Sequence, residues 1–215
     1  MKLLVLISEI KYSGAAKIVT WLCNGLAAKG YSITLATYMG EEDCYQVSDS
    51  VERIKIALGN INRYKRTFRA IRLLRANIKT EKYDAVLSFL PMESFIAIVS
   101  SLFTHTKVIV AERSDPYLEK STVANFCRFM FRFADGAVFQ SFGAQNYFPK
   151  KLQKKSIIIE NPIINPPRNI IDYEKRDLDV VTASRLDIRQ KRHDVLLHAF
   201  ATIVKENPNI GLRIY

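Results

Sequence analysis

Short apolar runs alternate with helical stripes from one end of this chain to the other, and few architectures accept that order. Lys2–Ile7, Ser32–Thr37, Ala85–Phe89, Lys107–Ala111 and Gly136–Phe139 read as strands, with Arg53–Leu58 and Ser156–Glu160 as shorter candidates. The first run is continuously apolar, as expected of a strand buried on both faces of a parallel sheet. Between the strands lie helical patterns. Ala15–Lys29 carries apolar residues at 15, 18, 19, 22, 26 and 27 and closes at Gly30, a C-terminal glycine. Asn62–Lys79 is amphipathic, with Phe68, Ile71, Leu74 and Ile78 on one side and Arg/Lys around the rest; Glu93–Phe103 is apolar, and Ser141–Tyr147 is short. Glu119–Ala134 aligns Phe126, Phe129, Met130 and Phe133 on a stripe expected to face the core. This alternation predicts an α/β fold, a doubly wound parallel sheet over about residues 1–160.

Residues 161–171 (NPIINPPRNII) carry prolines that bar helix and central strand, so they read as a stiff connector. Beyond it, strand Leu178–Ala183, polar loop Ser184–Lys191, helix His193–Glu206 and strand Gly211–Tyr215 open a second parallel layer. One strand–helix–strand unit cannot cover both faces of a sheet. The expected domains are therefore 1–165 and 166–215, the latter an incomplete second Rossmann-like domain. Val195, Leu196 and Phe200 are expected to be under-covered there.

Composition narrows the class. With 48% hydrophobic and 25% charged residues the chain belongs among soluble globular proteins. Cys23, Cys44 and Cys127 show no paired spacing and read as reduced thiols of a cytoplasmic protein. The apolar N-terminus is too short for a signal peptide. The longest apolar stretch, Phe95–Phe103, falls far below the ~20 residues of a spanning helix. The formal net charge is +11, and it is localised: residues 53–82 hold ten basic side chains against one acid, Glu81. Such a bias favours phosphate groups, acidic lipid heads or nucleic acid, and equally suits a solvated helix face. No helix-turn-helix, zinc-finger or RNA-binding signature accompanies it, so nucleic acid is not expected as a partner.

Open parallel sheets bind ligands at the carboxyl ends of their strands, and three loops qualify. In Ser8–Gly14, the bare backbone at Gly14 lets a phosphate approach a helix N-terminus; the plainer reading is a turn glycine. After Lys107–Ala111, Glu112 offers an acceptor for a substrate hydroxyl and Arg113 a cation, or the two belong to a local ion pair before an Asp-Pro turn. After Leu178–Ala183, Arg185 and Lys191 flank a loop that leads into a helix N-terminus, a combination suited to a diphosphate, or to ordinary surface charge. His105, His193 and His198 form no ligand pattern, and no metal is expected.

The motifs, taken in order, resemble glycosyltransferase family 4, retaining enzymes of GT-B fold. Ser13–Gly30 (SGAAKIVTWLCNGLAAKG) resembles its Gly-Gly-Ala-Glu helix, and Tyr83–Phe89 (YDAVLSF) its "pDvvhs" strand. Val110–Pro116 (VAERSDP) resembles the Ser-Glu-Arg-Asn-Asp-Pro loop of one subgroup, and Phe133–Gly143 (FADGAVFQSFG) its "Ala-Asp…Ser" strand and helix start. Asn161-Pro162 followed by Ala183–Phe200 (ASRLDIRQKRHDVLLHAF) resembles the interdomain Asn-Pro and the opening of the C-terminal domain.

The resemblance implies a transferase moving a hexose from a nucleotide-sugar to a glycan or polyprenyl-linked acceptor in surface polysaccharide, lipopolysaccharide or capsule synthesis, with no cofactor beyond the nucleotide-sugar. Gly14 would lie beneath the donor phosphates, Arg185 and Lys191 would neutralise the diphosphate, and Glu112 and Arg113 would stand at the acceptor side as candidate catalytic residues. Ala16 departs from the family's Glu, and Ser184 from its Gly. The family's Glu-x7-Glu segment has no counterpart before Tyr215, so the chain is expected to be a truncated, inactive form. The basic helix then acquires a purpose: Arg63, Lys65, Arg66, Arg69, Arg72 and Arg75 would rest on the acidic inner face of the cytoplasmic membrane, each cation contributing about 1 kcal/mol. The alternatives are a non-catalytic sugar-nucleotide-binding module that needs a separate C-terminal half, and a basic nucleic-acid-binding protein.

Overall fold

A computed structural model describes residues 1–40, 43–56, 62–162 and 172–215, with the backbone alone at 63, 173 and 189. The chain divides into two compact units, Met1–Pro162 and Ile163–Tyr215. The expected boundary at 165/166 and most of the proline-rich connector lie outside the described residues.

The first unit is built on a seven-stranded parallel sheet. Its strands are β1 (Lys2–Ile7), β2 (Ser32–Thr37), β3 (Glu52–Lys55), β4 (Ala85–Phe89), β5 (Lys107–Ala111), β6 (Gly136–Phe139) and β7 (Ser156–Ile158), in the order β3-β2-β1-β4-β5-β6-β7. Every pairing is parallel, with Leu3 opposite Ile33 on one side and Ala85 on the other. The doubly wound sheet predicted from the alternation is therefore present.

Period-2 alternation divides the strands between two cores. Leu4, Leu6, Val86, Val108 and Val110 point to one face. There they meet α2 (Arg63–Glu81), α3 (Pro91–Ser101), α4 (Thr122–Met130) and α6 (Lys150–Gln153) through Leu74, Ile78, Ile96, Ala97, Met130 and Leu152. Leu3, Val5, Ile7, Ile33 and Leu35 point to the other face and meet α1 (Gly14–Ala28) through Ala16, Val19 and Cys23. Burial pushes the Cys23 thiol up to about 12, so it acts as a small apolar side chain. On this second face α1 covers β4–β7 only in part, with Ala85, Phe89 and Ala111 buried and Ile157 exposed. An apolar groove of about 400 Å³ remains, lined by Trp21, Leu22, Leu87, Ile109, Val138 and Ile157.

Two expectations are corrected. Of the predicted stripe Phe126/Phe129/Met130/Phe133 only Met130 packs against the core; the three rings are about half exposed, at 55%, 50% and 58%. The helix starts later than the periodicity suggested, because Ser121 caps it by accepting from the Ala124 N–H at 3.2 Å. That phase turns Ala124, Cys127 and Arg128 inward, and a single 3-10 turn at 131–133 then buries Phe131. A short α5 (Phe142–Asn146) follows β6.

The second unit is small. Strands β8 (Asp179–Thr182) and β9 (Gly211–Ile214) pair in parallel, and α7 (Ile188–Lys191) and α8 (His193–Glu206) connect them. Val195, Leu197 and Ile203 of α8 are roughly half exposed, while Leu196 and Phe200 are only partly covered.

Candidate active site

From β1 the chain winds one way through β2 and β3, and from β4 it winds the other way. The switch point between β1 and β4 is where an open sheet leaves a crevice at its carboxyl edge. The loop after β1 runs along that edge. Its last residue, Ser13, accepts from the Ala16 N–H at 3.2 Å and caps α1, as an N-cap serine does. Gly14 is the first helical residue, and a Cβ there would meet nothing within 4 Å. The fold itself does not need glycine at 14, so its bareness leaves the helix N-terminus open to approach. The loop is braced by its neighbour: Cys44 N–H donates to Ile10 O at 2.7 Å, and exposed Tyr12 packs edge-on against Tyr45 at 5.7 Å between ring centroids.

The sequence reading missed the residue beneath this loop. Glu93, in the first turn of α3, is only 4% exposed. It accepts from the Tyr38 hydroxyl at 3.1 Å and from Ser8. One carboxyl thus ties together the exits of β1 and β2 and the head of α3. Burial raises its pKa above the ordinary carboxylate range, against the pull of these hydrogen bonds. Just before it, Leu90 takes φ 76° and ψ 157°, a conformation almost reserved for glycine. Its N–H donates to Ala111 O at 3.1 Å, which fixes the turn. A lone acid at the start of an apolar helix was the available clue.

Glu112 and Arg113 follow β5 but do not pair with each other. Glu112 turns inward: one carboxylate oxygen accepts from Arg128 Nε at 2.8 Å, the other from the Ser114 N–H at 3.1 Å and the Ser114 hydroxyl at 2.6 Å. The side chains of Glu112 and Arg128 are 0% and 2% exposed. Arg128 also donates to Glu119 O and Oε2 at 2.7 and 3.0 Å, so it pins the whole 112–119 loop. A helical arginine sixteen residues away is therefore the ion-pair partner, and nothing local in the sequence signals it. Arg113 turns toward the partly covered sheet face. It donates to Asn161 Oδ1 at 2.7 Å and lies over the Phe89 ring. Burial lowers its pKa, and its Nε has no partner among the described residues.

In the second unit Arg185 and Lys191 bracket the loop and short helix that lead to α8. Arg185 makes one long hydrogen bond, to Gln190 Oε1 at 3.4 Å, and neither cation forms an ion pair among the described residues. Buried His193 opens α8, and its Nε2 lies 3.0 Å from the Ser184 hydroxyl, next to Arg185. Arg192 caps α8 in the left-handed region at φ 50° and pairs with Asp194. The structure thus holds Arg185 and Lys191 in one locally braced segment.

The expected membrane-facing cations all lie on α2, with different fates. Lys65, Arg69 and Arg72 are exposed. Arg66 is partly covered. Arg75 instead donates to Ser100 O and Leu102 O at 3.1 and 2.6 Å, and so satisfies the end of α3. Of Arg63 only the backbone is described. Among the described residues no cluster of His, Cys, Asp or Glu is placed to hold a metal ion, and no helix is long and apolar enough to cross a membrane.

Solved structures share this architecture. The lipopolysaccharide outer core galactosyltransferase WaaB superimposes with a TM-score of 0.69 at 12% identity, covering 100% of this chain and 60% of its own. Anabaena HepE in complex with UDP and glucose gives 0.70 at 14%, with the same two coverages. Sucrose-phosphate synthase from Thermosynechococcus elongatus gives 0.59 at 15%, covering 74% of this chain and 48% of its own. The chain therefore spans about 60% of the length of the first two. At such identities the likeness establishes the GT-B fold alone. No curated protein matches the sequence. The profile of Glycosyltransferase Family 4, however, matches residues 12–164, from the loop under Gly14 to the edge of the connector. A match over most of the chain, on a fold shared with glycosyltransferases, places this protein in glycosyltransferase family 4.

Proposed function

We propose that this chain takes part in glycosyl transfer from a nucleotide-sugar to a glycan or lipid-linked acceptor of a surface polysaccharide. The first unit supplies the acceptor side, and the second begins the nucleotide-sugar side. The observation that carries the reading is the pair Arg185 and Lys191, two cations without an acidic partner among the described residues, on the segment leading into α8. Departure of a nucleoside diphosphate builds negative charge, and fixed cations in a preorganised site stabilise it. HepE, a protein of this fold, has been solved with UDP-glucose, which supports a donor of that class. A retaining outcome and a hexosyl donor complete the proposal.

At the acceptor side, Arg113 is the cation left to meet a substrate, and Glu112 acts by holding the loop that carries it. Gly14 keeps the backbone open toward the donor phosphates. The test is calorimetric titration of the 215-residue chain with UDP, GDP and ADP. At least one should bind. Arg185→Ala and Lys191→Ala should each weaken it about tenfold to a hundredfold, the range for losing a hydrogen bond to a charged group, with unchanged thermal unfolding. Binding that is absent for all three, or unaltered in both variants, would remove the diphosphate assignment.

A further inference from the structure

Helix α4, the turn at 131–133 and the start of α6 border a cavity of about 620 Å³, inside the roughly 300–1,000 Å³ range of small-molecule sites. Its lining is aromatic. Phe148 is buried, locked by a parallel stack on Phe131 with the ring centroids 5.4 Å apart. Phe129 and Phe133 stand half exposed, and Tyr147 is partly covered. Two cations join the rings, Arg132 and Lys151, neither in an ion pair among the described residues, and no acid among those residues lines the cavity. Arg132 is preset. Its guanidinium carbon lies 3.5 Å from the Phe129 ring centroid and its Nε donates to Phe129 O at 3.1 Å, which leaves both Nη groups as a fork without a partner among the described residues. The cavity also shares a wall with the 112–119 loop. Arg128, which lines it, donates to Glu112, Ser114 and Glu119, and the Tyr147 ring packs edge-on against Tyr117 at 5.2 Å between centroids.

We propose that this cavity binds a small organic anion built on a flat apolar ring, the ring among Phe129, Phe133 and Tyr147 and the carboxylate or phosphate on Arg132 and Lys151, and that the bound molecule stiffens the 112–119 loop. Charge complementarity names the occupant. A neutral ring would leave both cations unmet, and a bare anion would leave the aromatic walls in water. A guanidinium held flat presents its donors as a fork that matches carboxylate and phosphate oxygens two at a time. Aromatic walls accept a flat ring edge-on or offset. The link to the loop follows from the shared wall, because a molecule lodged against Tyr147 and the α4 face that carries Arg128 restricts the groups that hold residues 112–119. The inference does not rest on Arg185 and Lys191 in the second unit, so either reading can fail alone.

Calorimetric titration of the 215-residue chain with naphthoate, naphthyl phosphate, uncharged naphthalenemethanol and inorganic phosphate tests it. At least one naphthyl anion should bind, and the tighter of the two identifies the preferred charged group. Naphthalenemethanol and inorganic phosphate, each lacking half of the recognised chemistry, should bind at least about tenfold more weakly. Arg132 and Lys151 are exposed, so replacing them leaves the core intact. Arg132→Ala and Lys151→Ala should each weaken the anion about tenfold, the loss of one hydrogen bond to a charged group, whereas Arg185→Ala should not change it. Phe129→Leu should weaken it as well, because Arg132 then loses the ring that holds it flat. At saturation, amide hydrogen exchange of residues 112–119 should slow, an effect that a probe adsorbed on loose surface rings would not produce. Equal binding of naphthalenemethanol, no binding of either anion, parent affinity in both Arg132→Ala and Lys151→Ala, or unaltered exchange of the 112–119 loop at saturation would each overturn the proposal.

Discussion

Glu93 and Arg128 set the residue-scale physics of the first unit. Each is a charged type almost wholly inside, and each joins segments that are distant in sequence. Because burial raises its pKa, Glu93 favours the fold in its protonated form. That contribution is complete below the ordinary carboxylate range near pH 4 and is lost as pH rises through the raised value. Glu93→Gln cannot ionise and escapes the loss. Its stability relative to the parent chain should therefore increase from about pH 4 to pH 8 in urea titrations; a difference that is flat with pH would refute the assignment. Arg128→Met leaves the Glu112 carboxylate uncompensated and should cost about 3–5 kcal/mol. Adding Glu112→Gln should recover much of that cost, since the buried charge is then gone. Equal losses in the single and double variants would mean that Arg128 acts by packing alone.

At the scale of elements, caps and phase decide what the hydrophobic pattern leaves open. Helix α2 keeps only part of its predicted core stripe: Leu74 and Ile78 are each 1% exposed and Ile71 packs against them, but Phe68, expected on the same side, is 70% exposed. It ends, however, on Lys82 in the left-handed region, φ 53°, rather than on glycine. Lys82→Gly should stabilise the protein by a few tenths to about 1 kcal/mol, read as a higher urea midpoint at unchanged slope. A drop in midpoint would show that the Lys82 side chain does more than close the helix. Helix α4 makes the opposite point. Its phenylalanines looked like a core stripe, but a cap at Ser121 and the Glu112–Arg128 pair rotate the helix so that an arginine occupies the inner face. An ion pair with three further hydrogen bonds outweighs the preference of one ring for burial.

For the molecule as a whole, both hydrophobic cores lie entirely within residues 1–162. A chain ending at Pro162 should then unfold cooperatively within a few degrees of the main transition of the 215-residue chain in calorimetry. A broad or strongly lowered transition would mean that the second unit supports the first. Trp21 of α1, Ile157 of β7 and Ile159 just beyond it stand exposed beside the partly covered sheet face, apolar surface of the kind parallel sheets normally bury.

The strand–helix alternation, the parallel sheet, the inward side of α2 at Leu74 and Ile78 and the basic character of α2 were all legible in the sequence, because each follows from local periodicity or composition. The resemblance in motif order also pointed to the family. What only tertiary structure decided was which polar residues meet: Glu112 with Arg128, Glu93 with Tyr38 and Ser8, Arg75 with the end of α3. It likewise decided that Tyr64 and Phe68 stand out from α2 rather than pack against α3. Periodicity assigns a residue to one side of its own element, but a buried charge is stable only where another element brings its partner within about 3 Å, and that meeting exists only once the chain is folded.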